Sequence, residues 1–152
     1  MGISRGIRSK GFKSNLERYI DAILKRNKFG YIYEPGNITY IQPEVKRRYL
    51  PDWTKDDVIL EAKGRFTTAD RKKMLLLKEQ YPEKQIVMLF GKADNKLSKK
   101  SKTSYADWCN NNNIAWLDLA DFEENPKCLL SITSKNKLGN LKTLLKMRKK
   151  HS

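Results

Sequence analysis

Between Ser14 and Lys28 apolar residues recur at Leu16, Ile20, Ile23 and Leu24, the i, i+4, i+7, i+8 stripe of an amphipathic helix. Ser14 and Glu17 match the S-x-x-E capping box at its start, and Gly30 reads as its stop. The period then shortens. Tyr31 to Tyr33 and Ile38 to Val45 read as β segments on either side of the turn signal Pro35-Gly36-Asn37. Tyr49 to Thr54 reads as a strand interrupted by Pro51, which places it at an edge, a bulge or an end. Lys55-Asp56-Asp57 is turn-like, and Val58 to Lys63 is a strand stopped by Gly64. Thr67 or Thr68 opens a helix to about Gln80, with Met74, Leu75, Leu76 and Leu77 inward and Tyr81-Pro82 ending it. Gln85 to Phe90 is a continuous apolar run, as in a strand covered on both faces. A basic loop, Gly91 to Lys102, leads to a helix from about Ser104 to Asn111, and Ile114 to Leu117 is a short strand. Asp118 to Pro126 yields no element, whereas Leu138, Leu141, Leu144 and Leu145 predict a last amphipathic helix flanked by Lys142, Lys146 and Arg148. A helix, then antiparallel strands, then alternating helix and strand predicts an α/β fold: a mixed β-sheet flanked by helices.

Charge changes the picture more than composition does. Across 152 residues, 32 Lys and Arg stand against 17 Asp and Glu, a net charge of +15 with the one His neutral. A surplus of that size points to a polyanionic partner, nucleic acid or an anionic membrane surface. No apolar run approaches the ~20 residues of a spanning helix, and the basic start lacks the apolar stretch of a signal peptide, so a cytoplasmic protein without a membrane partner is expected. The first acid is Glu17, and from Lys127 onward there are eight basic residues and no acid. The chain therefore divides into a flexible basic arm (1–13), a central domain (14–126) and a basic tail carrying the amphipathic helix (127–152). Cys109 and Cys128 make no zinc spacing with the near-terminal His151 and read as two buried thiols. A lone terminal His also argues against chemistry with a histidine base, leaving carboxylates, Lys, Tyr or Ser to carry any catalysis.

The sequence around Pro51-Asp52 and Glu61-Ala62-Lys63 is the most informative. Period-two alternation puts Glu61 and Lys63 on one face of their strand and Leu60 and Ala62 on the other. With Asp52 on the neighbouring strand, across the Lys55 to Asp57 turn, its carboxylate converges on Glu61. Two carboxylates about 4 Å apart repel by roughly 4 kcal/mol at an effective dielectric near 20, so the pair calls for a cation. Oxygen ligands favour a hard ion, Mg²⁺ or Mn²⁺, which polarises a phosphoryl oxygen and activates water without histidine. Lys63 on the same face could orient that water or stabilise the developing phosphorane charge. E-x-K by itself is common on exposed edge strands; the preceding P-D at hairpin distance, the following Gly, the lack of a usable His and the net charge favour a nuclease. Glu17 has an ordinary role as capping acid, yet it shares a helical side with Ile20 and Leu24 and so faces partly toward the body of the fold.

Beyond these residues, a longer pattern is present. The Gly6-Ile7-Arg8 arm, Phe12-Lys13-Ser14-Asn15-Leu16-Glu17, Pro51-Asp52-Trp53, Glu61-Ala62-Lys63-Gly64, Asp70-Arg71-Lys72-Lys73 and Thr103-Ser104-Tyr105 with Cys109 resemble endonuclease I of T-odd podophages. The resemblance runs from about Arg5 to Leu117. It implies a PD-(D/E)xK, restriction-endonuclease-like fold and a phage enzyme that resolves four-way (Holliday) DNA junctions. It further implies that Asp52, Glu61 and the Ala62 carbonyl hold one or two Mg²⁺ or Mn²⁺ ions, that Lys63 assists the attacking water, and that Glu17 completes the site. By the same resemblance the protein is a domain-swapped homodimer. The first helix and strand cross to the partner, Ile41 to Arg48 forms the bridge, and Glu17 serves the other subunit. Trp53 stands where the family usually has Phe, an apolar exchange. Arg5, Arg8, Lys10, Lys13, Arg71, Lys72, Lys73, Lys99, Lys100 and Lys102 are the candidates for backbone phosphates of branched DNA. Tyr19, Tyr31, Tyr33, Tyr40 and Tyr49 read as core or interface. A nuclease of the same class with another specificity, and a basic DNA-binding protein without catalysis, are the competing readings.

Overall fold

The structure, a computed structural model, describes residues 11–42 and 45–133. Helix α1 (Asn15–Arg26) is followed by β1 (Ile32–Tyr33), β2 (Ile38–Gln42), β3 (Val45–Tyr49), β4 (Trp53–Lys55) and β5 (Val58–Lys63). Helix α2 (Thr68–Gln80), β6 (Gln85–Phe90), α3 (Tyr105–Asn111), β7 (Ala115–Asp118), α4 (Leu119–Glu124) and α5 (Cys128–Ile132) complete it. Arg5, Arg8 and Lys10 and the helix expected around Leu138 to Leu145 lie outside the described residues.

Five strands form a mixed sheet in the order β1-β4-β5-β6-β7, with β1, β4 and β5 antiparallel and β5, β6 and β7 parallel. The apolar run of β6 has the expected cause, since each face buries alternate residues. Ile86, Met88 and Phe90 pack with Met74 and Leu77 of α2 and with Tyr105 and Cys109 of α3. Val87 and Leu89 pack with Ile20, Ile23 and Leu24 of α1 and with Phe122 and Leu129 from α4 and α5. β5 alternates in the same way, sending Ile59 to the α2 side and Leu60 and Ala62 to the α1 side. Among the described residues no helix is long and apolar enough to cross a membrane.

Several expectations need correcting. The Ile38 to Val45 segment is not one strand, and Tyr49 does not share a strand with Thr54: β2 and β3 form a separate antiparallel hairpin, in register from Ile38 opposite Tyr49 to Gln42 opposite Val45. Lys46, Arg47 and Arg48 obscure it, because a hairpin lying outside the main sheet leaves its polar residues in water and shows little apolar alternation. Only half of the α1 capping box forms. Ser14 Oγ accepts from the Glu17 N–H at 3.1 Å, but the Glu17 carboxylate is bound elsewhere. The helix stops at Asn27, whose side-chain amide donates to the Ile23 carbonyl, before Gly30 is reached. Leu75 is exposed, Cys128 is only partly buried, and Asp118 to Pro126 does contain an element, α4, capped by Asp118.

Candidate active site

β4 and β5 are joined by a turn at Asp56-Asp57, with Asp56 at a φ of 50°. Their register sets Trp53 opposite Leu60, so Asp52, one residue before β4, comes opposite Glu61. Both acids are buried. The Asp52 N–H donates to Glu61 Oε2 at 3.3 Å, and the Ala62 N–H donates to Asp52 Oδ2 at 3.0 Å. The Tyr49 hydroxyl also donates to Glu61 Oε2. Lys63 Nζ lies 3.9 Å from Glu61 Oε1 and 3.3 Å from Asp70 Oδ1. Asp52, Glu61, Ala62 and Lys63 are thus brought together as the P-D…E-x-K spacing predicts.

Burial pushes the Asp52 carboxyl above the ordinary carboxylate range; the Ala62 hydrogen bond opposes this and the charge of Glu17 adds to it. Glu61 is pushed up by burial and then by the charge of Asp52, with Tyr49 and Lys63 opposing. Burial, with Glu61 beside it, keeps the Tyr49 hydroxyl protonated. Two desolvated carboxyls that resist ionisation are what an uncompensated pair should show.

The donor set fits a hard cation. The hydrogen bonds among the described residues engage Oδ2 of Asp52 and Oε2 of Glu61, so Oδ1 of Asp52 and Oε1 of Glu61, the latter with Lys63 Nζ 3.9 Å away, are the oxygens an ion would take. The Ala62 carbonyl would be a third oxygen for such an ion. The Lys63 carbonyl faces β6, where it accepts from the Gly91 N–H at 3.1 Å, so the backbone groups of Ala62 face the opposite edge, beyond the end of β4. Its N–H there meets the Asp52 carboxylate, and its carbonyl points the same way. Among the described residues no group of three or more His, Cys, Asp or Glu forms a compact metal cluster, so Glu17 does not close up on the other two acids in the single chain. Glu17 is buried on α1, accepts from the Tyr33 hydroxyl at 2.5 Å, and reaches Asp52 as a charge.

Four neighbours of the site are not assigned to it by the sequence reading. Tyr33 and Tyr49 read as packing residues, and each turns its hydroxyl onto a candidate acid. Asp70 completes the capping box of α2 with Thr67 and also holds Lys63; burial would raise it, but the Thr67 bonds and the Lys63 charge keep it below the usual range. The capping pattern Thr67-x-x-Asp70 was the available clue. Glu34, at a φ of 44°, donates its N–H to the Asp52 carbonyl at 2.7 Å and pairs its carboxylate with Lys13 at 2.9 Å. Lys13 therefore sits at the rim, where its charge acts on Asp52 and Glu17.

The remaining basic candidates differ in availability. Arg71 is tied to the Phe66 carbonyl at 2.7 Å and to Thr68 Oγ1 at 3.0 Å, and Lys73 stands over the Tyr49 ring, 5.9 Å from its centroid. Lys72, Lys99, Lys100 and Lys102 are exposed. Trp53 is more than an apolar replacement. Its indole N–H donates to Asp21 on α1 at 3.0 Å, and Asp21 in turn pairs with Lys25 at 2.9 Å.

Residues 1–137 match the Phage endonuclease I family. The chain belongs to that family. It is 35% identical over 116 residues to Endodeoxyribonuclease 1 of Enterobacteria phage T3, covering 76% of each chain. Over 117 residues it is 35% identical to Endonuclease I of Escherichia phage T7, covering 76% of this chain and 78% of the relative. Family membership makes the protein a nuclease.

Proposed function

We propose that this protein is a divalent-metal-dependent endodeoxyribonuclease of restriction-endonuclease-like fold that resolves four-way and other branched DNA by paired incisions. The observation that carries the reading is the meeting of buried Asp52 and Glu61 with the Lys63 ammonium at the ends of β4 and β5. Asp52, Glu61 and the Ala62 carbonyl would hold one or two Mg²⁺ or Mn²⁺ ions. When bound, such an ion polarises a phosphoryl oxygen and activates water. Lys63, held by Asp70, orients the attacking water and stabilises negative charge as the new P–O bond forms and the leaving oxygen departs. Lys13, Lys72, Lys99, Lys100 and Lys102 grip backbone phosphates, joined by Arg5, Arg8 and Lys10 of the arm. Such contacts carry no base sequence, so a branch or bend supplies selectivity.

The test is cleavage of labelled linear, nicked and four-way DNA of unrelated sequences with Mg²⁺. Paired cuts near the branch are expected, falling about 10²-fold or more in Lys63→Ala, the range seen when an electrostatic stabiliser is removed. Cuts in linear duplex at a fixed sequence would instead indicate a restriction-type enzyme, and no cuts at all a basic DNA-binding protein.

Paired incision asks for two equivalent sites about a two-fold axis, hence a homodimer. α1 packs on its own sheet in the single chain, and exchange with a partner would require the β2–β3 hairpin to open. Mixing Glu17→Ala with Glu61→Ala subunits decides the matter: an exchanged dimer regains one working site, whereas an unexchanged dimer has none.

A further inference from the structure

Tyr49 is placed with more care than packing requires. It ends β3, is almost wholly buried, and has its ring among Tyr40, Ile59 and Met74 with the Lys73 ammonium above one face. The hairpin that carries it is fastened to α2 and the residue after it. Gln80 exchanges two hydrogen bonds with the Ile41 backbone, and the Tyr81 hydroxyl donates to the Thr39 carbonyl. Only Leu50 and Pro51 separate Tyr49 from Asp52, and the proline ring fixes one of the intervening φ angles. A phenylalanine would fill the same apolar space. The hydroxyl is what differs, and it is aimed at Glu61 Oε2, the oxygen that also receives the Asp52 N–H.

Two donors on one oxygen restrict what the carboxylate can offer. With Oε2 occupied by hydrogen bonds, Oε1, which has only the Lys63 ion pair at 3.9 Å, is the oxygen that Glu61 can turn toward an ion. One oxygen from a fixed carboxylate suits Mg²⁺, which is small and demands near-ideal octahedral geometry; a carboxylate free to bind through both oxygens suits Ca²⁺, which accepts six to eight ligands. We propose that Tyr49 is a positioning residue that sets the cation preference of the site, by occupying Glu61 Oε2 and so denying Glu61 a two-oxygen grip. The inference rests on the proposed role of Glu61 as a ligand, and it adds a specificity role for the hairpin.

Mn²⁺ binding to the full-length protein without DNA, followed by electron paramagnetic resonance, supplies the test, with Mg²⁺ and Ca²⁺ as competitors. Tyr49→Phe should still bind Mn²⁺ and should raise the ratio of Ca²⁺ to Mg²⁺ affinity by about tenfold or more, within the range typical for loss of a partner that orients a ligand. 4-Aminophenylalanine in place of Tyr49 restores a donor at the same position and should return the ratio toward that of the unaltered protein. An unchanged ratio in Tyr49→Phe, or an altered ratio that the amino analogue leaves unrestored, overturns the proposal. Glu61→Gln distinguishes failure of the ligand role from failure of the Tyr49 role. It should lose most Mn²⁺ binding, and if it binds like the unaltered protein, the reading of Glu61 as a ligand fails and takes this inference with it.

Discussion

Asp52 and Glu61 are held above the ordinary carboxylate range by burial, and this has a definite sign for stability. From about pH 4, where such groups ionise in an unfolded chain, through neutrality, the folded protein without metal binds more protons than the unfolded one. Their contribution is thus fully present below that range and is lost as pH rises through the folded-state values. Calorimetric midpoints of the metal-free protein should carry a component that falls across this window. Asp52→Asn should flatten it and, near pH 8, stabilise the metal-free protein by on the order of 2 kcal/mol. Mg²⁺ should raise the midpoint more at pH 8 than at pH 5, and equal rises at both would contradict a cation bound to these groups. At the same scale, Trp53 shows what residue classes hide. A buried indole usually finds an acceptor, and Asp21 of α1 is that acceptor.

At the scale of elements, local chemistry was readable where it is self-contained. The caps Ser14, Thr67 and Ser104 each start a helix, and the Lys55 to Asp57 turn joins two strands in the register that places Asp52 opposite Glu61. The hairpin was not readable, because its strands are held by distant groups as well as by each other. Tyr81→Phe removes the bond to the Thr39 carbonyl and should cost about 0.5–1.5 kcal/mol, with faster amide exchange across 38–49 than across β6. Unaltered exchange in the hairpin would show that the bond does not anchor it. Glu17 illustrates the same limit. Its spacing announced a cap, but the nearby Tyr33 hydroxyl competes for the carboxylate and wins.

For the whole molecule the decisive quantity is charge. If the proposed function holds, a net +15 on 152 residues makes phosphate neutralisation the main source of its affinity for DNA, and binding should weaken steeply and log-linearly with salt. Replacing Lys99, Lys100 and Lys102 together with Gln should reduce that slope by about 1 for each phosphate no longer neutralised, while leaving preference for a branch intact. An unchanged slope would assign these lysines to solvent. The proposed selectivity for a branch belongs to this scale too, since in the proposed dimer it would depend on where two sites stand relative to one another rather than on any one of them.

The residues by themselves determined the alternating core of the sheet, the helix starts and the acid, acid and ammonium trio, because period and spacing along one or two adjacent strands are local properties of the chain. Only the tertiary structure decided which oxygens of those acids are spoken for. Tyr49, Tyr33, Asp70 and Glu34 reach the site from other elements. A hydrogen bond between side chains 12 or 16 positions apart leaves no period in a sequence; it exists once packing has brought the two groups together.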